Sequence, residues 1–243
     1  MIKIVSCFWN VENYIEKCIE SVMSQDFKDF KMFLIDDMSI DSTVEKIKNK
    51  INDDDRFVLI KNEEKKFKLK NMDELIRNNV IFDNEDIIVE LDGDDWLYND
   101  SVLSFINDKY KNNPNLWITN GSWIWHDGRQ GFSSKVNPET VRYDPFTFSH
   151  LRTWKCHLWR NINQSSLKDD NGEYFKSAGD VAFSYPMVEM SGDEHYEFIP
   201  NILLIYNGEN PKNDHKDGSA AGGPYEQFRT HQLITSRPKY QKL

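Results

Sequence analysis

Several things are missing from this 243-residue chain, and each absence excludes a class. No apolar run approaches the roughly 20 residues of a membrane-spanning helix. The N-terminal "MIKIVSCFWN" lacks the charged-then-apolar layout of a secretory leader, and is expected to start the fold as a strand. Cysteine is scarce: Cys7, Cys18 and Cys156 are an odd number without metal-type spacing, which speaks for reduced thiols in a cytoplasmic setting. Basic residues are outnumbered, 30 Lys and Arg against 40 Asp and Glu, for a net charge of -10. A nucleic-acid partner is therefore not expected, because phosphate backbones require a basic face. There is also no internal repeat and no stretch resembling a flexible linker.

What is present suits a globular fold: 39% apolar and 13% aromatic residues, enough for a sizeable core in one domain. The run "IKIVS" reads as a strand, and "NVENYIEKCIESVMSQ" places Val11, Tyr14, Ile15, Cys18, Ile19 and Val22 on one helical face. A second strand, "FKMFLIDD", leads to the helix "SIDSTVEKIKNKI", with Ser39 or Asp41 as candidate cap. "RFVLIK" is a third strand, followed by the lysine-rich "KNEEKKFKLK" and the helical "NMDELIRNNVI". "DIIVELD" is the fourth. Strands alternating with helices predict βαβ units and an α/β, Rossmann-like, doubly wound and mostly parallel sheet flanked by helices. Ligands bind such sheets beyond the carboxyl ends of the strands.

Two acid clusters fall at those ends: Asp36 with Asp37, and the group in "ELDGDDWL", Asp92, Asp94 and Asp95. Like charges so close repel unless a cation sits among them. In an extended segment Asp92 and Asp94 share a face, so two carboxylates can meet one hard cation, magnesium or manganese, that keeps positions open for phosphates. On this reading Asp95 points elsewhere, orienting its neighbours or capping a helix "WLYNDSVLSFIN". Gly93 lets a nucleotide approach the backbone. The bland alternative is a solvated acidic turn.

Residues 1 to about 100 resemble a family 2 glycosyltransferase of the GT-A fold, through the ordered motifs "IVSCFWNVENYIEKCIESVMSQDFKDFKMFLIDDMSIDST" and "DIIVELDGDDWL". The resemblance implies that Phe8, Trp9 and Asn10, with Asp36 or Asp37, hold the base of a nucleotide, usually uridine. A carboxylate can accept the uracil N–H. It also implies that Asp92 meets ribose or metal, that Asp94 is a direct metal ligand and that Gly93 belongs to the nucleotide-binding residues. Lys66, Lys68 and Asn71 become candidates facing the nucleotide sugar; otherwise the lysine run is a solvated loop.

The second half resembles a narrower viral and bacterial subgroup in "SHLRTWKCHLW", "GDVAFSYPMVEMSG" and "YNGENPKNDHK". That resemblance implies Asp180 as the general base on the acceptor hydroxyl, although Gly179 replaces the more usual Glu and helix capping would also explain an acid there. Arg152 is a candidate for the diphosphate through its planar fork, or else a partner for a structural acid. His215 is a candidate third metal ligand. Trp123, Trp125 and Trp154 are expected mainly in the core.

The expectation is one GT-A domain over residues 1–243, with a nucleotide-binding half (1–100) and an acceptor-binding half (101–243). Its activity would be metal-dependent, inverting transfer of a sugar, of the hexosyltransferase class. The donor would be a nucleotide diphosphate sugar, a UDP-sugar, and the acceptor a glycan, lipid-linked or protein hydroxyl. Localisation would be the cytoplasm of a bacterial cell or virus-infected host cell; oligomerisation stays open. The alternatives are a metal-dependent nucleotidyltransferase and a non-catalytic sugar-nucleotide-binding module.

Overall fold

A computed structural model describes residues 1–213, 216 and 219–243. His215 lies outside the described residues. The chain begins with strand β1 (Ile2–Phe8), helix α1 (Ile15–Met23), β2 (Phe30–Asp36), α2 (Thr43–Ile51), β3 (Phe57–Lys61), α3 (Phe67–Asn78) and β4 (Ile87–Glu90). It continues with β5 (Trp96–Leu97), α4 (Val102–Asn112), β6 (Ile118–Trp125), β7 (Arg152–Lys155), α5 (Cys156–Asn161), α6 (Gly179–Ser191), β8 (Tyr196–Tyr206) and α7 (Gly223–Ser236).

The eight strands form one mixed sheet in the order β3-β2-β1-β4-β7-β6-β8-β5. Its first half is parallel: β1 pairs with β2 and β4, and β2 with β3. β7 then joins β4 antiparallel, β6 runs against β7, β8 lies parallel to β6, and β5 closes the edge antiparallel to β8. Two cores lie on opposite faces, and alternate strand residues feed them. Ile4, Met32, Leu34 and Val89 pack with α1, α2 and α4. Val5, Phe33, Ile35 and Ile88 pack with α3, α5, α6 and α7. Covering both faces is what makes these strands near-continuous apolar runs.

Three local expectations change. Helix α3 starts at Phe67, inside the lysine run rather than after it. Trp96 and Leu97 are a strand, not the start of a helix, because Trp96 pairs with Ile205 and Leu97 with Leu204. β4 ends at Glu90, so the acids that follow are not on extended backbone. Trp123 and Trp154 are buried as expected, while Trp125 is half-buried against Tyr206.

Among the described residues, no helix is long and apolar enough to cross a membrane. Cys18 and Cys156 are buried and Cys7 is half-buried, all three as free thiols. The topology gathers one rim: the C-terminal ends of β1, β2, β4 and β8, and the start of β7, where Arg152 faces Glu90 across the pair.

Candidate functional site

A cleft of about 260 Å³ opens on that rim. Its walls come from the end of β1 (Phe8, Trp9), the approach to α3 (Lys65, Lys68), the acidic turn (Asp92, Asp94) and the approach to β7 (His150, Arg152). The start of α6 (Lys176, Asp180) and the segment after β8 (Tyr206, Asn210, Lys212) complete it. Four lysines and an arginine therefore line a cleft in a chain whose net charge is -10. Such a concentration of cations suits an anionic ligand.

The acidic turn owes its shape to local hydrogen bonding. The Asp95 N–H donates to the Asp92 carbonyl at 3.1 Å, which closes the turn and cancels the period-two alternation expected of a strand. As a result Asp92 and Asp95 come together with His150: one ligand atom from each lies within 4.8 Å of the others. Asp94 instead faces the cleft and accepts from Asn210 Nδ2 at 2.7 Å. Asp95 is buried; its Oδ1 accepts the Asn207 N–H at 2.8 Å, and its Oδ2 is buried without a hydrogen-bond partner.

The electrostatics follow from this crowding. Burial, then the Asp92 charge, push the Asp94 carboxyl up to about 6. Burial and the charges of Asp94 and Asp92 push Asp95 well above the usual carboxylate range. Burial, with Arg152 nearby, pushes the His150 imidazole well below its ordinary value and leaves it neutral, the form that ligates metals. A partnerless buried carboxylate oxygen beside a second acid and a neutral imidazole is a donor set that fits a hard divalent cation such as Mn²⁺ or Mg²⁺.

Lys68 brings positive charge to the turn. Lys68 Nζ donates to Asp92 Oδ1 and lies 2.7 Å from Glu90 Oε1. Burial opposes the ammonium charge, but Asp92 and Glu90 hold Lys68 protonated well above its ordinary range. Asp92 is therefore directly compensated, contrary to an empty cluster of acids, while Asp94 and Asp95 feel the Lys68 charge only from further off. Arg152 is buried against Glu90, and its Nη1 lies 3.6 Å from Asp180 Oδ2. Asp180 sits in the first turn of α6 and lines the cleft, and its Oδ1 accepts the Val181 N–H at 2.9 Å.

The remaining expected residues divide. Phe8, Trp9 and Asp37 line the cleft, with Lys65 Nζ 3.8 Å from the Trp9 ring centre. Asp37 is already held by Asn62, Asn71 and the N–H groups of Lys66 and Phe67, so it anchors the start of α3. Burial would raise its pKa, but those donors hold it below the ordinary value.

Asp36, Asn10 and Asn71 are buried behind the wall. Asp36 accepts the Ser39 N–H, and Asn10 is tied to Ser39 and Ile40. The Lys66 side chain turns away to Glu74. Packing by itself requires Gly93: a Cβ there would lie 2.7 Å from Phe8 Cβ.

Sequence reasoning passed over Glu90, His150, Lys176 and Lys212 and gave Asp95 only a structural role. His150 stands two residues before Arg152 in "SHLRTWK", and Lys212 lies in "NGENPKNDHK", so both were within quoted motifs. Nothing around Lys176 marked it.

Comparison with known proteins follows the same lines. The family model described as "Glycosyl transferase family 2" matches residues 3–166. An uncharacterised glycosyltransferase of Haemophilus influenzae is 30% identical over 129 residues, which is 52% of this chain and 48% of that protein. The chain thus spans about half the length of this curated relative.

Among solved structures, S. aureus TarS 1–349 in complex with UDP-GlcNAc is similar with a TM-score of 0.70 at 17% identity, over 96% of this chain and 65% of that one. The mannosyltransferase PcManGT from Pyrobaculum calidifontis, in complex with GDP-Man and Mn²⁺, is similar with a TM-score of 0.55 at 16% identity, over 84% and 56%. At these identities the likeness is one of fold.

Proposed function

The chain belongs to glycosyl transferase family 2, and on that premise we propose that it moves a sugar, with inversion, from a UDP-sugar to an acceptor hydroxyl. The observation that carries the reading is one rim on which a cation-lined cleft meets an acidic turn containing a buried, partnerless carboxylate oxygen. Structural neighbours solved with UDP-GlcNAc and with GDP-Man and Mn²⁺ support a nucleotide diphosphate donor. As a division of labour, residues 1–100 would supply most of the donor side and residues 101–243 the acceptor side, with Arg152 and Lys212 reaching across.

Asp92, Asp95 and His150 would hold Mn²⁺ or Mg²⁺, with Asp94 beside them on the cleft. The bound cation would supply Lewis-acid stabilisation of charge on the leaving diphosphate. Lys65, Lys176 and Lys212 attract and orient the anionic donor, and Trp9 offers a flat face at the β1 end. Asp180, kept near Arg152, takes the proton from the acceptor hydroxyl as it attacks the anomeric carbon. The acceptor would be a hydroxyl of a glycan, lipid-linked or protein substrate.

A thermal-shift series with UDP-GlcNAc, UDP-glucose and GDP-mannose, each with Mn²⁺ or with EDTA, tests donor and cation together, because a ligand of the folded state raises apparent stability. The expected outcome is a shift with a UDP-sugar that EDTA abolishes, followed by release of free UDP when acceptor is added. A response to GDP-mannose alone would replace the donor. Pyrophosphate released from a nucleoside triphosphate would replace glycosyl transfer by nucleotidyl transfer.

A further inference from the structure

Glu90 ends β4 as a fully buried carboxylate in an otherwise apolar strand. A buried acid is tolerated when it is paired, and a single partner would suffice. Glu90 has two: Oε2 accepts from Arg152 Nε, and Oε1 lies 2.7 Å from Lys68 Nζ, off the hydrogen-bond direction. Each of those cations touches one acid of the cleft, Lys68 reaching Asp92 and Arg152 approaching Asp180 at 3.6 Å. The result is an alternating series, Asp92, Lys68, Glu90, Arg152, Asp180, that runs behind the cleft from the acidic turn to the first turn of α6.

We propose that Glu90 is a positioning residue that acts through Lys68: by sharing the Lys68 ammonium with Asp92, it sets how readily Asp92 is released to a divalent cation. The proposal rests on the cation site described above. Lys68, whose side chain is 29% exposed at the cleft, stands in for part of the missing positive charge at Asp92. When Asp92 turns to a cation, Lys68 keeps an anionic partner in Glu90 and stays in the cleft wall. Without the Glu90 charge, Lys68 has Asp92 alone, and a cation must compete with an undivided ion pair.

Mn²⁺ binding followed by electron paramagnetic resonance tests this in the absence of any nucleotide. Glu90→Gln should bind Mn²⁺ about tenfold more weakly than wild type, and Lys68→Met about tenfold more tightly, the scale of changes in groups behind metal ligands. The double variant decides whether Glu90 works through Lys68. In the Lys68→Met background, adding Glu90→Gln should change Mn²⁺ affinity by less than about twofold.

Equal weakening by Glu90→Gln in both backgrounds would mean through-space charge or a general structural effect, and overturns the proposal. So would tighter or unchanged binding by Glu90→Gln in the wild-type background. If Glu90→Gln does not fold, as judged by its thermal melt, Lys68→Met decides: tighter binding upholds the stand-in role, and unchanged or weaker binding refutes it. A wild-type protein that binds neither Mn²⁺ nor Mg²⁺ removes the cation site itself and the proposal with it. That outcome is distinct from a wild type that binds while its variants fail to diverge.

Discussion

Asp94, Asp95 and His150 carry the pH dependence of the site, the acids in one direction and the imidazole in the other. Both carboxyls are raised on folding by burial and then by neighbouring acids, Asp94 to about 6 by the Asp92 charge and Asp95 further by those of Asp94 and Asp92. The folded chain therefore binds these protons more tightly than the unfolded chain, and the Asp94 contribution to stability is lost as pH rises from about 4 through 6, while that of Asp95 persists to higher pH. Asp37 and Glu90 are lowered instead, so their contribution is present above the ordinary carboxylate range and is lost only as pH falls below it, outside this window.

Two outcomes are expected. Burial holds His150 well below its ordinary range, so it favours folding more at pH 7 than at pH 5, and the acids are read by difference. From pH 5 to pH 7, EDTA-treated wild type should lose more melting temperature, or gain less, than Asp94→Asn does, and Mn²⁺ should stabilise wild type more at pH 7 than at pH 5. Mn²⁺ affinity should drop roughly tenfold between pH 7 and pH 5, because Asp94, beside the cation, takes up a proton and loses its charge as pH falls through about 6. A cation affinity flat across that range would remove these acids from the site.

The elements that bind the second half together depend on one buried ion pair. Arg142, in the segment before β7, donates from Nε and Nη2 to both oxygens of Glu189 on α6, and from Nη1 to the Ile234 carbonyl on α7 at 2.7 Å. Both side chains are almost fully buried. Arg142→Met leaves a buried carboxylate without its cation and should destabilise the fold by about 3–5 kcal/mol in urea unfolding. Arg142→Met combined with Glu189→Met should recover much of that loss, because no charge is then stranded. A single variant as stable as wild type would show that the pair is incidental.

The parallel elements were legible in the sequence because short-range pattern decides them. Continuous apolar runs made β1 to β4, and the spacing of Ile15, Cys18, Ile19 and Val22 made α1. The lysine run hid the start of α3, because the donors that Asp37 satisfies there come from its own backbone, which composition does not report. The tiny strand β5 was hidden because only β8, more than 100 residues away, makes it a strand.

For the whole molecule, strand order predicts how the chain folds. β5 belongs to the first 100 residues but lies at the far edge of the sheet, separated from β4 by β7, β6 and β8 from the second half. A fragment of residues 1–100 would leave the β4 edge open and β5 without a partner. Expressed alone, fragments 1–100 and 101–243 should lack a cooperative thermal transition, whereas the full chain should melt in one step by both circular dichroism and fluorescence. Independent melting of either fragment would divide the chain into two domains.

The amino-acid sequence by itself determined the family, the parallel half of the sheet and the rim on which acids gather, since each depends on residue type and short spacing. Tertiary structure decided which acids act together. The turn that brings Asp95 to Asp92 and His150, the lysine that compensates Asp92, and the Glu90 pair behind it all join residues up to about 60 positions apart. Their roles depend on desolvation and on distances of a few ångströms, and the folded chain alone sets those.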